Sequence, residues 1–276
     1  MNLSPGYRYG LSNRAGEARM SFLKALCISF AIYSKIPVPH FEWTEKEMRF
    51  QLIFFPWVGA VIGALLVLWK YVCDWLPIGN IPYVLIAVAI PLLVTGGFHV
   101  DGYMDTMDAL KSYKTREEKL EILKDPHIGA FSVIMLAVAG LIFAAAIAGM
   151  NRSFMLSFAG AFFLSRGLSG TAVMIFPPAK KDGMLRTFGD TSGRGKNNAV
   201  LIALLVEAAA GAAFMIIMNV LAGLFMVLAA LVVFLYYRYK SLKEFGGITG
   251  DTAGFFVTVS EIAMAVAAWA VSVIAW

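Results

Sequence analysis

Asp101, Asp105 and Asp108 stand in the stretch Gly96-Gly97-Phe98-His99-Val100-Asp101-Gly102-Tyr103-Met104-Asp105-Thr106-Met107-Asp108, directly after the apolar run Ile81–Thr95. Spacings of four and three put these carboxylates on one face if the stretch is helical. A carboxylate at the centre of a membrane helix costs roughly 2.5–3.5 kcal/mol on insertion scales, and three on one face also repel one another. A hard, oxygen-seeking dication such as Mg²⁺ is the natural counter-charge. The plainer alternative is a solvated acidic helix start, where Asp suits the helix dipole. That alternative does not call for three aligned carboxylates between glycines.

Three further constellations converge with the aspartates. Lys124-Asp125-Pro126-His127-Ile128-Gly129 precedes a long apolar segment. Arg166, inside another apolar segment, is followed by the loop Pro177-Pro178-Ala179-Lys180-Lys181-Asp182-Gly183. Gly246-Gly247-Ile248-Thr249-Gly250-Asp251-Thr252-Ala253-Gly254 opens the last segment, which carries Glu261. Carboxylates beside Lys and Arg, with glycines permitting close approach, are the parts of a phosphoryl-transfer site. Each constellation alone is weak, because glycine turns and paired lysines are common at span ends. Glu207 lies in a span with no motif around it and receives no role.

The elements that must hold these residues are membrane helices. Apolar residues make up 59% of the chain and charged residues 15%, with a mean hydropathy of +0.73. Crossing a hydrocarbon core of about 30 Å takes roughly 20 apolar residues. Leu52–Cys73, Ile81–Phe98, Gly129–Met150, Phe154–Phe176, Ala199–Met218, Val220–Tyr237 and Phe255–Trp276 meet that length, which predicts seven spans. Phe22–Ile36 is shorter, carries Lys24 and Lys35, and stops at Pro37-Val38-Pro39, so an interfacial or re-entrant helix is expected there. The fold class is therefore all-α, a polytopic membrane bundle. A polar basic segment, 1–21, precedes a single membrane domain over 22–276. The longest loops, about 22 to 29 residues, are too short for a core of their own.

Charge gives the orientation. With Phe22–Ile36 not crossing, the regions Met1–Gln51, Val100–Ile128, Pro177–Asn198 and Arg238–Gly254 share one side and hold nearly all the Lys and Arg. The other side keeps Arg152 and Lys70. The positive-inside rule makes the basic side cytoplasmic and the membrane the cell's inner (plasma) membrane. A net charge of +5 then reflects basic loops at an anionic leaflet and needs no nucleic acid. The N-terminus resembles a signal peptide without a cleavage site and is expected to be retained. Cys27 and Cys73 are isolated packing residues.

These motifs resemble the cobalamin synthase family, the adenosylcobinamide-GDP ribazoletransferases of vitamin B12 biosynthesis. Gly96–Asp108 fit that family's Gly-Gly-x-His-x-Asp-Gly-x-x-Asp-Thr-x-Asp signature throughout. Lys124–Gly129, Pro177–Gly183 and Gly246–Thr252 match its later motifs in order, and Lys35–Pro39 and Phe55–Gly59 look like its opening ones. The matches run from about residue 21 to 261. There are departures: Pro126 and His127 replace Ser-Arg, Pro178 a Tyr, Lys180 an Arg, Ala109 a Gly, and Thr258 an often acidic residue. None touches the aspartates, so they bear on substrate contacts more than on the reaction.

The resemblance implies that a ribazole hydroxyl attacks the cobinamide-side phosphorus of adenosylcobinamide-GDP and that GMP leaves. It implies Mg²⁺ held by Asp101, Asp105 and Asp108, one of them available as general base, with Lys124 and Asp251 also catalytic. His99, Asp125, Arg166, Lys180, Lys181 and Glu261 would contact the substrates. The partners implied are corrinoid and nucleoside small molecules and membrane lipid, and a homo-oligomer stays open. A CDP-alcohol phosphotransferase uses a related aspartate spacing, but Asp105-Thr106 occupy its Ala-Arg position. An ion-coupled transporter is the non-enzymatic alternative, against which no inverted repeat is visible.

Overall fold

The structure, a computed structural model, describes residues 20–39, 48–179, 184–195 and 198–274. The helices are α1 (Met20–Tyr33), α2 (Phe55–Trp75), α3 (Asn80–Thr95), α4 (Phe98–Lys111), α5 (Arg116–Ile122), α6 (Ala130–Ala148), α7 (Arg152–Ile175), α8 (Met184–Thr191), α9 (Ala199–Met218), α10 (Val220–Lys240) and α11 (Gly250–Ile274). Among the described residues there is no strand, only a parallel bridge between Pro178 and Ile248. The chain is a polytopic all-α membrane protein. Six helices are long and apolar enough to cross a membrane.

The expected span Ile81–Phe98 takes a different form. Its helix, α3, ends at Thr95 after 16 residues, about 24 Å at 1.5 Å per residue. Gly96 (φ 66°) and Gly97 (φ 79°) are both left-handed, a conformation that costs glycine nothing. They turn α4 by 94° from α3. The seventh crossing is thus a short helix plus a sharply bent arm that carries the aspartates. α1 covers 14 residues, about 21 Å, and is the short apolar helix expected at the N-terminus.

α7 is the hub. In its most apolar window 89% of residues are buried, against 28–44% for the other spans, so it alone is surrounded by protein. Its sequence, rich in Gly, Ala and Ser, lets α2, α9 and α11 come close. Gly59 and Gly63 of α2 lie directly on the backbone carbonyls of Phe162 and Ala159, where a methyl group has no room. On the other flank Gly160, Gly167 and Gly170 face Met215, Ala208 and Leu204 of α9. The outer faces carry exposed Leu85, Leu93, Leu141, Ile217 and Leu235, as lipid contact requires.

Alternating helix direction brings the α4 elbow, the loop before α6, Pro177–Ala179 after α7 and the α10–α11 turn to one end. At the far end Asp74 takes both Lys70 (2.8 Å) and Arg152 (2.9 Å). Gly63→Val should drive a side chain into the Ala159 carbonyl and cost about 1–3 kcal/mol, an overpacking penalty. The check is thermal unfolding in detergent, where a wild-type midpoint would show that α2 can move off α7.

Candidate active site

α4 is placed by close backbone crossing with α11. A Cβ on Gly102 would come 2.8 Å from the Asp251 carbonyl, and one on Gly254 2.8 Å from that of His99. Only glycines allow this contact, and it brings the start of α11 against the aspartate helix. There Thr249 and Thr252 cap reciprocally: the Thr252 N–H donates to Thr249 Oγ1 (3.1 Å) and the Thr249 N–H to Thr252 Oγ1 (2.8 Å). Asp251 therefore sits in the first turn of α11, where the helix dipole favours a carboxylate. The turn before it is zipped to the Pro177–Ala179 segment: Ile248 N–H donates to Pro177 O and Ala179 N–H to Ile248 O, both at 2.9 Å. Lys119 on Glu244 (2.6 Å) and Arg116 on the Lys243 carbonyl (3.3 Å) clamp the same turn from α5.

The aspartates share one face, Asp101 exposed and Asp105 and Asp108 half-buried. Asp105 is within electrostatic reach of Asp101, Asp108 and Asp251. Asp108 packs on Gly129, the residue that caps α6, so close that a Cβ there would overlap the carboxylate. Helical like-charge neighbours cost about 0.2–0.5 kcal/mol in full solvent and approach ~3 kcal/mol at an effective dielectric near 20. Half-burial moves the cluster toward the larger figure. Yet Asp101, Asp105 and Asp108 form no ion pair with any described residue. Among the described residues no three His, Cys, Asp or Glu side chains converge as a metal cluster, so the carboxylates stand as separate arms.

The other expected residues divide. Lys124 is exposed and pairs with Glu121 at 2.6 Å. Asp125 accepts the His127 N–H (3.0 Å) and lies 2.6 Å from its Nδ1, contacts that hold the carboxyl below the usual range. Arg166 is 1% exposed, with Nη1 donating to Glu261 Oε1 (2.6 Å) and Phe162 O (3.0 Å). Ser165 Oγ donates to the same Glu261 oxygen at 2.9 Å, and the Phe55 ring lies 5.9 Å from the guanidinium. This pair joins α7 to α11. His99 is buried, stacked on Phe55 (5.6 Å), with both ring nitrogens unpartnered and its carbonyl accepting from Thr258 Oγ1 at 3.2 Å. Lys180 and Lys181 lie outside the described residues. The glycines that set the α4–α11 crossing, Gly102 and Gly254, stand in the quoted motifs, but helix contact is not written in their spacing.

Two cavities meet at the elbow. One, of about 510 Å³, is lined by Asp101, Met104, Gly96, Gly97, Ser34 and Lys35, within the roughly 300–1,000 Å³ of small-molecule sites. The other has apolar walls from α3 and α6 and a polar end made by His99, Arg166, Thr258 and Glu261. Thr95 and Val100 line both. A polar mouth thus adjoins an apolar chamber inside the bundle.

Fold and site together define a polytopic membrane protein with a carboxylate face at the mouth of an intramembrane cleft. The family model described as "Cobalamin-5-phosphate synthase" matches residues 25–269, and the chain belongs to that family. An adenosylcobinamide-GDP ribazoletransferase of Lachnoclostridium phytofermentans is 39% identical over 243 residues, covering 88% of this chain and 92% of the relative. Proteins of the same name from Clostridium perfringens strain 13 and Desulfitobacterium hafniense are 32% and 31% identical, covering 87% and 88% of this chain and 95% of each relative. No solved structure matches significantly.

Removing one partner of a buried ion pair strands the other charge, at about 3–5 kcal/mol. Glu261→Ala should destabilise by that amount, and the apolar double variant Arg166→Met, Glu261→Leu should regain most of it. Thermal unfolding in detergent decides this; a double variant no better than the single would mean the pair itself is required. Gly129→Val should displace the Asp108 carboxylate and lower turnover at least tenfold with little change in unfolding temperature. Unchanged turnover would take Asp108 out of the reacting region.

Proposed function

We propose that this chain transfers a ribazole acceptor onto adenosylcobinamide-GDP, completing the nucleotide loop of a cobalamin. A hydroxyl oxygen of α-ribazole, or of its 5′-phosphate, attacks the cobinamide-side phosphorus. The new P–O bond forms as the pyrophosphate P–O bond breaks, GMP departs with the bridging oxygen, and the hydroxyl proton is released. The observation that carries this reading is the carboxylate face of Asp101, Asp105 and Asp108, with Asp251 beside it, at the mouth of a membrane cleft in a chain of this family.

The donors suit Mg²⁺ by their chemistry: hard carboxylate oxygens on one face of α4, standing as separate arms with no described cation paired to them. Asp101, Asp105 and Asp108 would hold it. Bound there, Mg²⁺ supplies positive charge to the pyrophosphate oxygens. The chain's own residues do the rest. One of the three would also accept the hydroxyl proton, and the capped start of α11 places Asp251 within electrostatic reach of Asp105. The apolar walls of α3 and α6 border the site and keep water from that side of it. Lys124 reaches phosphate only by leaving Glu121, and Arg166 contributes through its fixed place beside Glu261. The basic loops set this face in the cytoplasm, with the protein in the plasma membrane. The CDP-alcohol phosphotransferase and transporter readings gain no support from the relatives.

The test is GMP release and corrinoid product in nanodiscs, from adenosylcobinamide-GDP and α-ribazole, with and without Mg²⁺. Asp105→Asn should lower turnover about 10²-fold or more while donor binding survives. Wild-type turnover in that variant, or full turnover in a chelator, would overturn the assignment.

A further inference from the structure

Each cation that the motifs single out for phosphate is engaged elsewhere or lies outside the described residues. Lys124 is on Glu121, Arg166 is on Glu261, and Lys180 and Lys181 are not described. A pyrophosphate brought to Asp101 nevertheless needs positive charge besides a metal ion, because carboxylates and phosphates repel. The cavity that Asp101 opens onto contains one, Lys35.

Lys35 is held there by the chain around it. α1 buries Ala25, Ile28 and Tyr33, and Tyr33 packs its ring 4.2 Å from that of Phe55. Pro37 disfavours helix at Ile36, so the chain leaves α1 after Tyr33 and runs extended past the elbow. The Lys35 N–H donates to the Val94 carbonyl at 2.8 Å, tying this segment to the end of α3. The aliphatic stem of Lys35 then lies across Gly96, where a Cβ would collide with its Cγ, Cδ and Cε. Gly96 thus does two things: it takes the left-handed turn and leaves the lane in which the lysine lies. A lysine that merely snorkels needs neither a backbone anchor nor a glycine lane. Lys35 forms no ion pair with a described residue and its ammonium is accessible.

We propose that Lys35 binds the pyrophosphate of the nucleotide-activated substrate, making the segment that follows α1 part of the active site. The inference rests on the transferase reading, and the experiment separates the two. Binding of adenosylcobinamide-GDP is measured by equilibrium dialysis with protein in nanodiscs, alongside GMP release. Lys35→Ala should weaken donor binding at least tenfold and raise the donor KM in parallel, leaving the KM for α-ribazole within twofold. Lys35→Arg should recover most of the loss, and added salt should weaken donor binding more in wild type than in Lys35→Ala. Unchanged donor affinity in Lys35→Ala overturns the proposal. So does an equal loss for both substrates without rescue by arginine, which marks a structural role. Wild-type protein that binds the donor but releases no GMP refutes the transferase reading and leaves the Lys35 comparison standing. Failure of wild type to bind the donor refutes both.

Discussion

Inside a bilayer every backbone group must find its partner within the protein, so a chain can change direction there only where packed neighbours take over the freed bonds. The elbow at Gly96–Gly97 meets that condition. The Gly97 N–H still bonds back to the Leu92 carbonyl at 3.1 Å, Thr95 Oγ1 donates to Pro91 O at 2.8 Å, and the Val94 carbonyl is taken by Lys35. The price of the turn is two left-handed residues, which glycine alone accepts without strain. What the turn provides is a helix that crosses the start of α11 instead of continuing through the membrane. The aspartates are carried on the arm beyond the bend, the cleft is lined by the bend itself, and Asp251 is brought alongside.

The two polar systems of the interior solve opposite problems. Arg166 and Glu261 are buried together with an additional hydroxyl and a carbonyl, so their charges are balanced within the bundle. The aspartates of α4 are left without a cation among the described residues and depend on something brought in. A buried pair whose charges balance joins its two helices and changes little when a ligand arrives. An unsatisfied acidic face at an open cleft changes most. Binding of cation and phosphate is therefore expected at the elbow, and rigidity at the α7–α11 pair.

Much of this was legible in the residues. The apolar runs locate the helices to within a few residues because length and hydropathy are local properties. The aspartate spacing gives the acidic face because an α-helix is periodic. The elbow was hidden because a hydropathy reading runs straight through two glycines and cannot tell a C-cap from a helix that continues. The partner of Arg166 was hidden because Glu261 is ninety-five residues away, and only the packing of α11 on α7 joins them. The pairing of Lys124 with Glu121 is set by a spacing of three at the end of α5, and such an exposed pair leaves the lysine able to exchange partners. Lys35 appeared as charge and as part of a motif, but its place beside Asp101 depends on how α1 folds back onto α3.

The juxtaposition of polar mouth and apolar chamber also explains why such chemistry belongs in a membrane protein. Displacement at phosphorus needs an in-line approach, and holding two large substrates in that line is a matter of positioning. A corrinoid presents a partly apolar macrocycle edged with amides, whereas the pyrophosphate it carries is strongly hydrated. Here the bundle supplies the apolar chamber from α3 and α6. The bend then sets the carboxylates at its rim, so that one backbone feature places the acidic face beside the bundle interior.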